Sequence, residues 1–254
     1  MKSLKKFGLA IMLATGLAAC TTTQDINQEA ALSYRQVQQE AKSKGVLDTT
    51  SATSKRIHAV FNKMRPYAEK ENKTGVPFNW EISVVRSDEL NAWAMPGGKM
   101  MFYTGLVEKL KLTNDEIATV MGHEMAHALE EHGKSDRTVS TITGIIGAVA
   151  DVAVTAATGV NTEGLLSTGV DLIANKPFSR SQETEADEIG LFLMAKSGYN
   201  PKAAPNVWVK MSQATGGSGG LLESLISTHP VNADRQENLQ RLMPKAMEYY
   251  NARK

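Results

Sequence analysis

His123-Glu124-Met125-Ala126-His127 sets two imidazoles four residues apart, with a carboxylate beside the first. On an α-helix, positions i and i+4 stack one turn apart with Cβ atoms about 5–6 Å from each other, so both rings can reach one metal ion at about 2.0–2.1 Å. Glu124 is too short and too close to the first histidine to join that coordination comfortably, yet it can touch a water held by the same ion. A general base belongs there. The pattern therefore calls for a zinc ion, one per chain, and for a helix to carry it.

The helix is predicted without reference to the histidines. Thr113-Asn114-Asp115-Glu116 is a capping box with acids in the first turn, and Ile117, Val120, Met121, Ala128 and Leu129 continue an apolar stripe until Gly133. The histidine pair falls mid-helix, where the scaffold is most rigid.

Catalytic zinc keeps one coordination position open, so a third protein ligand is required. The segment from Ser179 to Asp187 offers it. Ser179 with Gln182 forms another capping box, and Ile189, Phe192 and Leu193 carry a helix towards Gly198. Glu183 and Asp187 stand four apart on that helix. Glu183 can complete the zinc sphere while Asp187 accepts the outer N–H of a ligating histidine, best His123, and so fixes its tautomer.

His123-Glu124-x-x-His127, the Glu183-x-x-x-Asp187 helix and the later Ser227-Thr228-His229-Pro230 together resemble the gluzincin zinc metallopeptidases related to the HtpX heat-shock protease and the type 1 CAAX prenyl protease. Asn91-Ala92-Trp93-Ala94-Met95-Pro96-Gly97-Gly98 resembles a signature of the same family, and the likeness runs from about residue 55 to about residue 245. It is strongest for the periplasmic lipoprotein branch, that of LoiP and the beta-barrel assembly-enhancing protease. The resemblance implies a gluzincin fold, His123, His127 and Glu183 as zinc ligands, and Glu124 as the catalytic carboxylate. It also implies a catalytic or gating place for His229 near the metal, which the residues alone leave undecided. Unfolded or misassembled envelope proteins are the implied substrates, in protein quality control, and the envelope assembly machinery is a candidate partner.

His132 raises a different option, a third histidine ligand, but the metzincin spacing needs glycine where Glu130 stands and histidine where Gly133 stands. That option fails, and His132 is expected to cap the negative end of the helix. His58 is expected to face solvent.

Outward from the motif, the period changes to strand-like between residues 78 and 103. Glu81–Val85, residues 91–95 and Lys99–Tyr103 are expected to form a small antiparallel sheet beside the zinc helix, with Pro96-Gly97-Gly98 as the last turn. The fold class is thus α+β and mostly helical. Asn91, Ala92, Trp93 and Ala94 are the expected substrate edge strand, since an extended chain can pair with a free sheet edge and present one peptide bond to the metal.

The chain's 254 residues, 42% of them hydrophobic, can bury one substantial core. Residues 55–254 are read as the peptidase domain, and within them residues 138–175, rich in small residues and interrupted by Asp151 and Glu163, as two soluble helices packed against or over the cleft, with a membrane-facing or substrate-gating role as the alternative. Lys2, Lys5 and Lys6 followed by an apolar run up to residue 19 read as a signal peptide over residues 1–19, too short for a permanent membrane helix. Leu17-Ala18-Ala19-Cys20 resembles a lipobox, which implies lipidation of Cys20 and a membrane anchor. Cys20 is the single cysteine and has no partner for an intrachain disulfide. Thr21 after it suggests, by the same resemblance, the outer membrane facing the periplasm. Residues 20–54 are read as a tether with a short helix around residues 30–44. Without the three lysines the net charge of +1 becomes −2, which argues against nucleic acid as a partner. The competing class is a non-enzymatic envelope chaperone with a structural zinc; Glu124 speaks against it, because a structural site needs no carboxylate aimed at a fourth position.

Overall fold

A computed structural model describes residues 22–136, 177–215, 228–230 and 233–253. Cys20 and the signal peptide, the two helices expected over residues 138–175 and the glycine run at 216–220 lie outside the described residues.

Three strands, β1 (Glu81–Val85), β2 (Ala92–Met95) and β3 (Lys99–Tyr103), make one sheet in the order β1-β3-β2. The sheet is mixed, which corrects the antiparallel expectation: β2 and β3 form the antiparallel hairpin, while β1 runs parallel to β3 with Val84 opposite Phe102. The cause lies in β3, all five residues of which are buried. Met100 and Phe102 face one core and Met101 and Tyr103 the other, so this strand is covered on both faces and takes the centre. In the hairpin, Pro96 and Gly97 (φ 73°) occupy the middle of a turn closed by Gly98 N–H donating to the Met95 carbonyl; proline first and glycine second is the type II pattern.

The first helix, α1 (Thr23–Ser43), is longer than the expected one and is not a spacer. It opens on a capping box made by Thr22 and Asp25 and buries Ala30, Tyr34, Val37 and Ala41 against Val85, Met95, Met101 and Tyr103. Without it the second face of β3 would meet water. The Tyr34 hydroxyl donates to the Met100 carbonyl at 2.7 Å, fixing helix to sheet.

On the opposite face lie α2 (Ala52–Glu71), whose Ile57, Val60, Phe61 and Met64 are buried, the short α3 (Thr104–Lys109), and α4 (Asn114–Leu129). His58 is half-buried and its Nδ1 lies 2.8 Å from the Ser54 carbonyl, so it does not simply face solvent. Both bonds of the α4 capping box are formed, and every residue from Glu116 to Leu129 is buried. A five-residue helix, α5 (His132–Asp136), follows at once. Beyond residue 177 come α6 (Arg180–Lys196), a 3₁₀ turn at Pro201–Ala203, α7 (Ala204–Thr215) and α8 (Ala233–Asn251). Helices α4 and α6 touch backbone to backbone at Gly122 and Gly190, where a Cβ on either glycine would lie 2.7 Å from the other helix. That approach sets the distance across which the functional side chains meet.

Candidate metal centre

The mid-section of α4 presents His123, Glu124 and His127, all nearly inaccessible, and the first turns of α6 present Glu183 and Asp187 towards them. His229, just ahead of α8, closes the group. One ligand atom from each of His123, His127, Glu183 and His229 lies within 4.8 Å of all the others.

The edges of this cluster are informative. His123 Nε2 and His127 Nε2 are 3.1 Å apart, and His229 Nδ1 stands 3.2 Å from His123 Nε2 and 2.9 Å from Glu183 Oε1. Glu183 Oε1 lies 3.3 Å from His127 Nε2, and its Oε2 3.4 Å from His123 Nε2. A tetrahedral zinc site with bonds of about 2.0–2.1 Å requires ligand–ligand separations of about 3.3 Å. Three nitrogens and a carboxylate at these distances fit that ion, with His229 Nδ1 at the fourth vertex.

Each inner side chain is held from behind. His123 Nδ1 lies 3.0 Å from Asp187 Oδ1. His127 stacks on Phe178, ring centroids 4.1 Å apart, and its Nδ1 lies 2.9 Å from Nδ1 of His132. His132 is buried beside this ring, and its Nε2 lies 3.2 Å from Glu185 Oε2. The expected helix-capping role of His132 is therefore corrected: Glu130 and Glu131, the latter at φ 51°, turn the chain so that the ring folds back onto His127. Glu124 points its Oε1 to within 3.5 Å of His229 Nε2. The Phe178 N–H donates to the Thr228 carbonyl at 3.1 Å, which ties the approach to α6 to the residue before His229.

Sequence reasoning missed Arg235. Its Nε and Nη2 grip Asp187 at 2.6 and 2.7 Å, Nη1 reaches Glu183 Oε2 at 2.8 Å, and the guanidinium plane lies over Trp208 at 4.0 Å. Trp208 in turn sets its ring edge-on to His123, centroids 5.1 Å apart. A signal existed: Arg235, Leu239, Leu242 and Ala246 are the buried stripe of α8, so this cation stands in phase with an apolar face.

Charges follow from these contacts. Burial alone would depress His123, but Glu183 and Asp187 outweigh it and raise the ring's pKa to about 9. His127 goes the other way, mainly through burial, and is held well below the ordinary histidine value. Burial would raise Asp187 and Glu183; Arg235 and His123 around the first, and His229 and His123 around the second, hold both below the usual carboxylate range.

Asn91, Ala92, Trp93 and Ala94 lie at and in β2, an outer strand of the sheet that packs beside α4. The structure gathers His123, Glu124, His127, Glu183, Asp187 and His229 into one buried cluster, while Asn91, Ala92, Trp93 and Ala94 lie at and in the neighbouring strand and Cys20 lies outside the described residues. No described helix is long and apolar enough to cross a membrane.

Comparison with known proteins agrees with this geometry. The chain is 33% identical over 226 residues to the mitochondrial metalloendopeptidase OMA1 of Saccharomyces cerevisiae, covering 85% of this chain and 62% of that one. It is 27% identical over 203 residues to the metalloprotease LoiP of Escherichia coli, covering 80% and 75%, and 25% identical over 258 residues to the metalloprotease YcaL of the same organism, covering 93% and 97%. The chain spans about half the length of the OMA1 relatives it matches. Residues 51–243, which hold the two ligand-bearing helices and His229, match the family profile described as Peptidase family M48, and the chain belongs to that family.

Proposed function

We propose that the protein is a zinc-dependent endopeptidase, with His123, His127 and Glu183 as its zinc ligands and Glu124 as its general base. The observation that carries this reading is the close-set cluster of four buried donors with a buried carboxylate beside His229. A purely structural site would have no use for Glu124 there, since burying an idle carboxylate costs several kcal/mol.

The work of the chain's own residues follows from their positions. Zinc, when bound, lowers the pKa of a water towards neutrality and polarises the scissile carbonyl. Glu124 accepts the proton of the attacking water and later delivers it to the leaving amine. Asp187 keeps His123 in the tautomer that offers Nε2 inward. An extended substrate adds to the outer edge of β2 at Asn91, Ala92, Trp93 and Ala94 and so lays one peptide bond along α4. His229 would hold the remaining metal position at rest and would have to swing away to admit water; its ring could then donate to the developing oxyanion.

The substrates are unfolded or misassembled envelope proteins, and the enzyme is held by lipid on Cys20 at the periplasmic face of a bacterial membrane, the outer one by the residue that follows the lipobox. The likeness to the bacterial relatives and the Leu17-Ala18-Ala19-Cys20 stretch support this placement.

Unfolded casein is the test substrate. The purified protein should cleave it, lose the activity to a zinc chelator and regain it with added zinc. Glu124→Gln should retain one zinc per chain while turnover drops by several orders of magnitude. Substantial cleavage by that variant would refute the mechanism.

A further inference from the structure

His123 has the Asp187 carboxylate behind it, whereas no carboxylate touches the outer nitrogen of His127 among the described residues. The buried ring of His132 takes that place. Its Nδ1 faces His127 Nδ1 at 2.9 Å and its Nε2 faces Glu185 Oε2 at 3.2 Å. Two nitrogens meeting at that distance need one proton between them, and the inner contacts decide which ring supplies it. His127 Nε2 points at His123, Glu183 and the fourth vertex, so it must be bare to serve a metal, and the His127 proton therefore sits on Nδ1. Nδ1 of His132 must then accept, which leaves the His132 proton on Nε2, the atom that faces the Glu185 carboxylate. Every donor and acceptor in the chain of contacts has one assignment, and all three are mutually consistent.

We propose that His132 and Glu185 form a positioning pair for His127, a two-step relay that fixes its tautomer and ring plane as Asp187 fixes those of His123. The two supports differ in kind. Asp187 is a buried anion directly on His123, whereas His127 meets a neutral ring whose anion, Glu185, lies one bond further out with a side chain 53% exposed. Glu185 sits two residues from Glu183 on α6, so the relay also ties α5 to the helix that carries the third ligand.

This inference rests on the zinc reading above, and the experiment separates the two. Zinc affinity is measured on the full chain by competition with a chromophoric chelator, and the cobalt-substituted protein is examined by visible absorption. Wild type must first bind about one ion; failure there overturns the zinc reading itself. His132→Phe keeps a ring in the same space without an acceptor and should weaken zinc binding by about 10–100-fold and alter the cobalt spectrum. His132→Asn, which restores an acceptor near the position of Nδ1, should recover most of that loss. Glu185→Ala should weaken binding by a smaller factor, and because its side chain is half in solvent it keeps the test alive should His132→Phe fail to fold. Wild-type affinity and spectrum in His132→Phe, a loss that His132→Asn does not recover, or an inert Glu185→Ala would each overturn the relay.

Discussion

Substituting Gly190 by alanine adds one methyl group at the closest point between α4 and α6, and the structure says how far that methyl must push. Its Cβ would lie 2.7 Å from the Gly122 carbonyl carbon and the His123 nitrogen. Carbon contacts settle at about 3.5 Å, and both obstacles are backbone, so the helices must separate by roughly 0.8 Å. Asp187 is three residues away on the same face of α6 and Glu183 two turns away, so the shift reaches both carboxylates. The 3.0 Å contact between Asp187 and His123 would stretch beyond hydrogen-bonding range. Overpacking costs about 1–3 kcal/mol, of which alanine's better helix propensity returns about 1. The fold should therefore survive with a Tm lower by a few degrees. The site should not: a misplacement approaching 1 Å is expected to reduce turnover about 10²-fold and zinc affinity by about 10-fold or more. Chelator competition, thermal unfolding and casein cleavage at saturating zinc measure the three quantities. Gly133→Ala, where nothing lies within 4 Å, is the matched control and should leave zinc affinity unchanged. Wild-type affinity and turnover in Gly190→Ala would refute the claim that the glycine contact sets the spacing of the site.

Arg235→Gln should destabilise the metal-free protein by about 3–5 kcal/mol in denaturant unfolding, because Asp187 and Glu183 are left buried without their cation; zinc should recover part of that loss, and insensitivity of the metal-free form would contradict the ion-pair reading. In the metal-free protein His123 titrates at about 9, raised above the ordinary value, so at pH 7 it holds a proton that zinc must displace. Zinc affinity should then rise about tenfold per pH unit from 7 towards 9, and a flat dependence would exclude it. Cys20→Ser should move the protein from the membrane fraction to the soluble periplasm, and palmitate should label the wild type only; unchanged fractionation refutes the anchor. His229→Ala should retain zinc and raise basal cleavage if the resting ligand dominates, whereas a 10²–10³-fold loss assigns the residue to the oxyanion, and wild-type activity excludes both roles.

The parts of this structure visible in the sequence are those fixed by short-range physics. The capping boxes at Thr113 and Ser179 locate the starts of the two helices to within a residue, although the first ends at Leu129, short of the Gly133 the apolar stripe suggests, and four-residue spacing places His123 with His127 and Glu183 with Asp187 on shared faces. What the sequence hides are relations between elements. Nothing local distinguishes a β1 that pairs antiparallel from one that lies parallel across β3, because that choice depends on how residues 86–91 cross the sheet. The docking of α1 was hidden for a related reason: its polar composition is that of a tether, and only the need of Met101 and Tyr103 for cover makes its four small and aromatic contacts decisive. Arg235 and His132 belong to the same category. Arg235 is an ordinary residue in its own helix that joins the site through a partner 48 positions away, and His132 joins it by folding back onto His127 while reaching Glu185 53 positions away.

Glu124, Glu183 and Asp187 bring three negative charges into a space almost closed to water, and Arg235 supplies a single positive one. With neutral histidines the deficit is two charges, the charge of the divalent ion that the donor geometry fits. The raised pKa of His123 is the same fact seen from the metal-free side, since a proton on that ring supplies half of what is missing. Ligand spacing, the clasp of Arg235 and the proton affinity of His123 are thus separate expressions of one electrostatic requirement. A chain folded for a non-metal role would have needed another way to neutralise the excess of buried acids. Among the described residues of the cluster, Arg235 is the only lysine or arginine that has been buried to do so.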